Sequence, residues 1–350
     1  MFQRKKGNVI SMKIVAGEAI RRALTVASLL LLLTAAGCVE HSNTVAQENS
    51  EISATAEPDV VTPAETDNEE SLTQEAPKPL HFLFFSDTQA DPDTNDYSRV
   101  GAMISTAILG GDAPGLVIFG GDTVNDGGDG TEWIDFHQSV GIALDGIMTA
   151  AVPGNHDHDI LLTEQFNYPA EAHERTGAGY FYTLTMDQVF FIMLDSSAMG
   201  AADRSDIEWL RGELQSDSAL NAQWRIAVMH HPMWPVAEIP KDIERAEVMR
   251  SCFLPVLEEF GIDLILCGHQ HVYARTQPMQ GDSEAGEGRG IVQIMVASGE
   301  KAAYTPGSMG YFAFSDTVAS YLSVSAEDEK LFITGYDSTH SVIDNCFIYK

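Results

Sequence analysis

Polar side chains that can bind metal ions follow five short apolar stretches of the chain, at the point where each stretch ends. The five blocks read SDTQ, GGDTVND, GNHD, MHHP and CGHQH in chain order. Their candidate ligands are Asp87, Gln89, Asp122, Asn155, His230, His269 and His271. Any one block alone is typical of a turn or a helix cap, but chance is a poor explanation for five in succession. A mixture of carboxylate, amide and imidazole groups suits Fe, Mn or Zn, whereas Ca²⁺ prefers oxygen ligands throughout.

The number of candidate ligands is sufficient for two ions that share one carboxylate. Two ions roughly 3.5–4 Å apart polarise a phosphoryl group, lower the pKa of a bound water and stabilise the attacking and leaving oxygens. Gly121, Gly154 and Gly268 stand beside the candidate ligands, where they let the backbone turn sharply and approach the site. The sequence contains neither a nucleophilic serine motif nor a phosphate-binding glycine loop, so the predicted chemistry depends on the metals.

The segments that must position the five blocks alternate between strand and helix patterns. Strands are expected at 80–86, 115–120, 147–152, 225–229 and 262–267, helices at 97–109, 131–145, 203–216 and 244–260, a hairpin at 180–185 with 189–195, and further strands after 290. In open α/β sheets, ligands bind beyond the carboxyl ends of the strands. The pattern therefore predicts an α/β domain of two packed sheets flanked by helices, with the five blocks gathered at one edge.

Other features around these blocks receive simpler interpretations. Trp234 and Tyr273 either stack on a base or sugar or pack into the domain wall, and packing is the favoured reading. The apolar run YFAFSDT is interpreted as a turn, and no site residue is assigned within 290–350. The loops 158–180, 197–205, 232–243 and 276–290 are expected to shape the substrate pocket. Because their conformation does not follow from the sequence, monoester and diester substrates stay equally open.

The first 37 residues are typical of a secretory signal, with basic residues ahead of the apolar run ALTVASLLLLLTAA (23–36). The run is followed by Gly37 and Cys38, and this order resembles the bacterial lipobox, although Ala35 stands where leucine is preferred. The resemblance implies that Cys38 is lipidated and becomes the mature N-terminus, with Met12 as an alternative start. We therefore expect a lipid-anchored protein of the bacterial cell envelope, its domain periplasmic or extracellular. An ordinary cleaved signal is the alternative.

Residues 38–79 are expected to form a disordered acidic tether to a folded domain at 80–350. The stretch 39–79 holds ten acidic residues, one lysine and no Phe, Trp or Tyr, so it cannot bury enough apolar surface to offset its ordering entropy. The formal charge of −31 argues against nucleic acid as a partner, because phosphate backbones attract basic surfaces. Cys267 is expected to be a buried thiol, and a Cys252–Cys346 bridge is left open.

The order D-x-(H/Q), GD, GNHD, HHP and GHxH, across roughly residues 80–275, resembles the calcineurin-like metallophosphoesterase superfamily. The segments MHHPMW and GHQHVYART are most similar to its purple-acid-phosphatase-like branch. The resemblance implies a four-layer αββα sandwich, the metallo-dependent phosphatase fold, which agrees with two mixed sheets flanked by helices. It also implies a role for each ligand: Asp87 and His271 on the first metal, Asp122 bridging both, and Asn155, His230 and His269 on the second.

The same resemblance places His156 next to the phosphate, where it stabilises the transition state or protonates the leaving group. Asp157 is expected to hydrogen-bond to the His156 ring and orient it. His231 is interpreted as a neighbour of the metals and not a ligand. The resemblance thus implies a hydrolase that uses a metal-bound hydroxide and two Fe, Mn or Zn ions on a small phosphate mono- or diester.

Two positions depart from the pattern of the family. Gln89 stands where many members have a histidine ligand, and Asn125 replaces the tyrosine that colours purple acid phosphatases. We therefore expect no iron–tyrosinate chromophore. Gln89 is predicted to bind the first metal weakly through its amide oxygen, with merely a nearby hydrogen bond as the alternative. A catalytically silent scaffold lipoprotein with this fold is the second functional hypothesis, although such a protein would be expected to lose ligands that this chain keeps.

Overall fold

A computed structural model of the chain describes residues 79–91, 93–111, 113–157, 161–166, 181–200, 203–286 and 289–350. The predicted signal peptide, the lipidation site Cys38 and the acidic tether at 38–79 lie outside these residues, except for Pro79. Most of the loop 158–180 lies outside them as well. In the part of the chain that is described, no helix combines the length and the apolar character needed to cross a membrane.

The described strands are short and distributed over the whole domain. They are β1 (Leu80–Phe85), β2 (Leu116–Phe119), β3 (Met148–Ala151), β4 (Tyr182–Met186), β5 (Val189–Leu194), β6 (Trp224–Met229), β7 (Leu264–Cys267), β8 (Tyr273–Thr276), β9 (Met279–Gln280), β10 (Ser283–Glu284), β11 (Val292–Met295), β12 (Phe312–Asp316), β13 (Ser320–Ala326), β14 (Lys330–Asp337) and β15 (Val342–Tyr349).

The described helices separate most of the parallel strands. They are α1 (Ser98–Leu109), α2 (Gly130–Leu144), α3 (Leu162–Gln165), α4 (Ser196–Met199), α5 (Arg204–Leu214), α6 (Asp217–Asn221), α7 (Pro240–Cys252) and α8 (Leu254–Glu259). Aspartates cap the amino ends of α4 and α5, where the side-chain oxygens of Asp195 and Asp203 accept backbone N–H bonds.

Two mixed sheets form the centre of the domain. The first has the order β15-β14-β13-β1-β2-β3, and the second has the order β12-β8-β11-β7-β6-β5-β4. Strands β1, β2 and β3 are parallel in the first sheet, as are β5, β6, β7 and β11 in the second. These parallel strands are mostly apolar because both of their faces are covered. Their carboxyl ends carry the predicted ligand blocks.

Three apolar cores hold the layers together. Between the sheets, Phe82 of β1 meets Phe191 of β5 with their ring centroids 5.2 Å apart. Outside the first sheet, α1 and α2 pack on β1 and β2, and Phe136 contacts Phe119. Outside the second sheet lie α5, α7 and α8, which bury Leu210 among their apolar residues. The order of layers is therefore helix, sheet, sheet, helix, and the predicted αββα sandwich is confirmed.

The predicted strands and the hairpin are confirmed with bounds that differ by one or two residues, and two other expectations are wrong. The helix expected at 244–260 starts earlier, at Pro240, and is divided at Phe253. Pro255 has no N–H to continue the first helix, so a second one begins. The run YFAFSDT is not itself a turn: Phe312–Asp316 is an edge strand antiparallel to β8.

The cysteines of the described residues do not form a disulfide. Cys252, Cys267 and Cys346 are all free thiols, so the Cys252–Cys346 bridge does not occur in this structure. Cys267 is fully buried at the end of β7, as expected.

Candidate metal centre

The carboxyl ends of β1, β2 and β6 bring three predicted ligands into one buried cluster. Ligand atoms of Asp87, Asp122 and His230 all lie within 4.8 Å of one another. All three side chains are at most 2% exposed. Two carboxylates and an imidazole gathered in the interior require positive charge between them, because unpaired buried charges are costly. This cluster is the centre of the predicted site.

His230 is held in the orientation that a metal ligand needs. Its Nδ1–H donates to the backbone carbonyl of Gly120 at 2.9 Å, which leaves Nε2 directed at the cluster, 3.3 Å from Oδ2 of Asp122. Burial lowers the pKa of His230, but the charges of Asp122 and Asp87 outweigh it and raise the pKa to about 10. The negative charges of the two carboxylates thus stabilise a positive charge at Nε2, and a metal ion would supply that charge.

His271 repeats this arrangement on the other side of the cluster. Its Nδ1–H donates to the carbonyl of Ala302 at 3.0 Å, and Nε2 lies 3.4 Å from Oδ1 of Asp87. The other oxygen of Asp87 accepts bonds from Ser86 Oγ and from the backbone N–H of His269. Asp87 is therefore fixed through one oxygen, and its second oxygen faces His271. This pairing suits the first metal position.

His269 is positioned by a carboxylate that sequence reasoning missed. Its Nε2 lies 3.0 Å from Oδ1 of Asp242, near the start of α7, and its ring is 5.2 Å from that of His230. The second oxygen of Asp242 accepts from Gln270 Nε2 at 2.7 Å. Since Nε2 is engaged, Nδ1 is the nitrogen left for a metal. No sequence signal identified Asp242, because a single aspartate in a helix is ordinary.

Four predicted ligands lie in the left-handed region of the backbone. The φ angles are 49° for Asp87, 51° for Asp122, 79° for His269 and 53° for His271. For residues other than glycine this conformation costs on the order of 1–3 kcal/mol each. It persists where surrounding bonds fix the chain, and such strain is concentrated at functional sites. The sharp turns direct the four side chains beyond the strand ends.

Two of the predicted glycines are required by close approach. A Cβ atom at Gly154 would lie 2.1 Å from Oδ1 of Asp122, and one at Gly268 would lie 2.1 Å from Oδ2 of Asp87. Neither side chain could remain in place. Gly154 precedes Asn155, the predicted second-metal ligand, which is exposed in the turn after β3.

Gln89 is fully buried beside the cluster and keeps an amide oxygen for a further bond. Its Nε2 donates to the carbonyl of Val124 at 3.2 Å. Its Oε1 has no hydrogen-bond partner among the described residues, and neither does Oδ1 of Asn125. The Asn125 amide group donates to the carbonyl of Ala90 at 3.1 Å. Two amide oxygens with unused lone pairs therefore accompany Asp87, and hard ions such as Mn²⁺ or Fe²⁺ favour this donor set.

His156 follows Asn155 and is tied to the carboxylate of Asp122. Its backbone N–H donates to Oδ1 of Asp122 at 2.8 Å, and its Nδ1–H donates to the carbonyl of Asn125 at 2.6 Å. Its Nε2 lies 3.2 Å from the Nζ of Lys301. The ring is exposed at the edge of the cluster, where a substrate can reach it.

The expected hydrogen bond between Asp157 and the His156 ring is not formed. The buried Asp157 carboxylate accepts instead from the backbone N–H groups of Thr123, Val124 and Gly154. Burial and the charge of Asp122 raise the pKa of Asp157 to about 7. Asp157 therefore holds the two ligand-bearing loops together. The turn at His156 points consecutive side chains in different directions, which adjacency in sequence did not reveal.

His231 is oriented for a role other than metal binding. The Ser196 hydroxyl accepts from the His231 backbone N–H at 2.8 Å and lies 2.9 Å from Nδ1 of the His231 ring. The ring packs against that of His269, with the centroids 4.2 Å apart. Burial keeps the pKa of His231 well below its usual range. The interpretation of His231 as a neighbour agrees with this geometry, while Ser196, at the end of β5, was missed.

Trp234 and Tyr273 pack inside the domain, as favoured from the sequence. Both are 1% exposed. Trp234 donates through Nε1 to the carbonyl of Gly281, and the Tyr273 hydroxyl donates to Asp344.

The residues present fit a metal centre by the chemistry of their donors. Among the predicted ligands that the structure describes, three buried side-chain atoms lack a hydrogen-bond partner: Oδ1 of Asp87, Oε1 of Gln89 and Nε2 of His230. Orphaned buried acceptors of this kind are rare in folded proteins. A cation held among Asp87, Asp122 and His230, whose ligand atoms lie within 4.8 Å of one another, would satisfy the atoms of Asp87 and His230. The assignment of individual residues to a first or second ion stays a prediction.

Comparison with known proteins gives the family of the chain. The model of the calcineurin-like phosphoesterase family matches residues 80–273, more than half of the sequence. The chain therefore belongs to the calcineurin-like phosphoesterase family. Purple acid phosphatase 1 of Ipomoea batatas is 26% identical over 137 residues, 35% of this chain and 28% of that protein. An uncharacterized protein of Mycobacterium tuberculosis is 25% identical over 151 residues, 37% of this chain and 28% of that protein. The matches thus span less than a third of these relatives.

Solved structures share the fold at low identity. A purple acid phosphatase from yellow lupin seeds superposes with a TM-score of 0.65 and 16% identity, over 78% of this chain and 54% of that one. GAP50 of Plasmodium, described as an anchor in the inner membrane complex, superposes with a TM-score of 0.56 and 15% identity, over 78% and 89%. These superpositions show the fold, and the family model shows that the chain is a calcineurin-like phosphoesterase.

Proposed function

We propose that this protein is a dinuclear metal-dependent phosphoesterase that hydrolyses small phosphate mono- or diesters. The observation that carries the proposal is the buried cluster of Asp87, Asp122 and His230, in which Oδ1 of Asp87 and Nε2 of His230 have no hydrogen-bond partner and are able to bind a cation. The ions themselves are proposed to be Fe, Mn or Zn. When bound, they would neutralise phosphate charge and activate a water as the nucleophile.

The side chains around the cluster would hold the ions, carry a proton and orient the phosphate. Asp122 would bridge the ions, and the backbone N–H of His156 fixes one of its oxygens. Asn125 anchors Nδ1 of His156 through its carbonyl, so Nε2 is the atom that can hold a proton for the leaving oxygen. These groups would orient the phosphate in line with the attacking water. Orientation of this kind contributes a large part of the decrease in activation free energy in enzymes.

The alternative is a scaffold protein without turnover. GAP50, an anchor by its description, has the same fold, so the fold alone does not require catalysis. The complete set of ligand blocks favours the enzyme, because a scaffold gains nothing from strained turns and orphaned buried acceptors.

A metal-reconstitution assay separates the two functions. Protein stripped of metal would be restored with Mn²⁺, Zn²⁺ or Fe²⁺ and tested on p-nitrophenyl mono- and diesters and on cyclic nucleotides. We expect metal-dependent hydrolysis that falls by at least about 100-fold in Asn155→Ala, since one ligand of the second ion is lost. The absence of turnover over the whole panel would support the scaffold.

We also propose that the protein acts at the bacterial cell envelope, held to the membrane by a lipid on Cys38. The support is the signal sequence and the Ala-Ala-Gly-Cys order. Cys38→Ser should release the domain from the membrane fraction, and mass spectrometry of the mature N-terminus should detect the acyl groups. An unmodified N-terminus at another residue would rule out the anchor.

A further inference from the structure

A sixth strand end reaches the metal centre, from the part of the sequence in which no site residue was expected. Strand β11 is parallel to β7, and the segment that follows it, residues 298–304, crosses the cluster. We refer to it as the crossing segment. Its residue Ala302 supplies the carbonyl that orients His271, and the ring of Tyr304 lies 5.3 Å from the His271 ring.

The crossing segment is fixed rigidly against the first ligand block. Three successive N–H groups, of Ser298, Gly299 and Glu300, donate to the carbonyls of Ser86, Asp87 and Gln89 at 2.8–2.9 Å. A Cβ at Gly299 would lie 2.3 Å from the Gln89 carbonyl oxygen, so only glycine permits this approach. The backbone of the next residue, Lys301, is therefore held beside the first ligand block.

Lys301 carries a positive charge that no carboxylate contacts directly. Its Nζ lies 3.2 Å from Nε2 of His156, and within the described part of the chain no acidic oxygen comes within ion-pair distance of it. The neighbouring Glu300 is paired instead with Arg99 at 2.5 Å. Lys301 is partly buried. Burial lowers the pKa of its ammonium group, and the charges of Asp122, Asp87, Glu132 and Asp157 oppose that effect.

Two of the carboxylates that act on Lys301, those of Asp122 and Asp87, are predicted metal ligands whose charge metal ions would neutralise. Once these charges are balanced, the ammonium group is available to another anion, and an anion bound at the cluster beside His156 lies within its reach. An ammonium group donates up to three hydrogen bonds and is a strong phosphate binder. In a protein with 51 acidic and 20 basic residues, a cation at this point also counteracts the general repulsion of an anionic substrate.

We propose that Lys301 binds the phosphate group of the substrate and makes the site selective for phosphomonoesters over diesters. A monoester carries close to two negative charges at neutral pH, because its second proton dissociates near pH 6, whereas a diester carries one. A cation beside the phosphate therefore stabilises a bound monoester more than a bound diester. This inference names the substrate class of the proposed phosphoesterase and rests on that function.

The test compares Lys301→Met, which removes the charge, with Lys301→Arg, which retains it. Lys330→Met is the matched control, because Lys330 lies in the β13–β14 hairpin, at the end of β1 opposite the site. In Mn²⁺-loaded protein we expect Lys301→Met to lower kcat/KM for p-nitrophenyl phosphate about 10- to 100-fold, the effect of losing a charge-assisted hydrogen bond. In the same variant, kcat/KM for the diester bis(p-nitrophenyl) phosphate should fall less than about threefold. Lys301→Arg should restore most of the monoester activity, and Lys330→Met should resemble the wild type.

Calorimetric titration with inorganic phosphate gives a second readout that does not need turnover. Lys301→Met should weaken phosphate binding to the Mn²⁺-loaded protein at least about tenfold, with unchanged metal content. Unchanged phosphate affinity, or equal losses on monoester and diester, would overturn the inference. If the wild type shows no hydrolysis at all, the proposed function fails, and the phosphate titration alone then decides whether Lys301 forms an anion site.

Discussion

Asp242 and His269 form a buried hydrogen bond of 3.0 Å between Oδ1 and Nε2, and it joins helix α7 to the metal centre. Carboxylates that hold a metal-binding histidine in this way fix its ring orientation and raise its basicity. The bond leaves Nδ1 of His269 as the nitrogen for a metal.

Replacing this carboxylate should weaken the second metal without unfolding the protein. We expect Asp242→Asn to lower the affinity for the second ion by about 10- to 100-fold, the usual cost of losing such a partner. Titration of Mn²⁺ into metal-stripped protein measures this affinity. Glu247→Gln is the control on the same helix, since Glu247 is exposed. Equal affinity in Asp242→Asn and the wild type would mean that His269 needs no such support.

The role of Gln89 can be tested by changing its donor atom. Gln89→His should raise the affinity for the first metal about tenfold, or by about 1.4 kcal/mol. The reason is that imidazole binds transition metals more strongly than an amide oxygen does. Gln89→Leu, which removes the donor at similar volume, should weaken it by a similar factor. If metal affinity and metal preference are the same in all three proteins, the unpaired Oε1 of Gln89 is not a ligand.

Gly154 should tolerate no side chain. In Gly154→Ala the new Cβ would fall 2.1 Å from Oδ1 of Asp122, so the carboxylate must move and both ions should bind at least about tenfold more weakly. Gly141→Ala is the matched control: nothing lies within 4 Å of its Cβ in α2. That change should stabilise the fold by about 0.5–1 kcal/mol. Normal metal binding in Gly154→Ala would show that the loop relaxes.

These contacts show where sequence reasoning succeeded and where it could not. The five ligand blocks were found because parallel strands of two sheets end at one edge, and an apolar run followed by Asp, Asn or His marks each end. Asp242 was missed because it comes from a helix whose approach depends on tertiary packing. The crossing segment was missed because glycine, glutamate and lysine after a strand are also typical of surface turns. The orientation of Asp157 depends on backbone angles in the turn after β3, which residue types do not determine.

The stability of the domain should depend on His137 between pH 8 and pH 5. Burial lowers the pKa of His137, which outweighs the effect of its bond to Gln165. The unfolded chain therefore binds a proton near pH 6.5 that the folded state resists, so stability falls as the pH drops through that value. His137→Gln should reduce the loss of Tm between pH 8 and pH 5 by about 1–3 °C. An identical loss in both proteins would mean that His137 protonates equally well in the folded state.

The central claim is that the clustered strand ends hold two ions that together hydrolyse phosphate esters. The most direct measurement adds Mn²⁺ stepwise to metal-stripped protein while bound metal and the rate of p-nitrophenyl phosphate hydrolysis are recorded on the same samples. We predict two bound ions per chain, with activity that rises mainly as the second site fills, and neither effect in Asp122→Ala. Binding of one ion or none, or a rate that does not change with the amount of metal bound, would contradict the account.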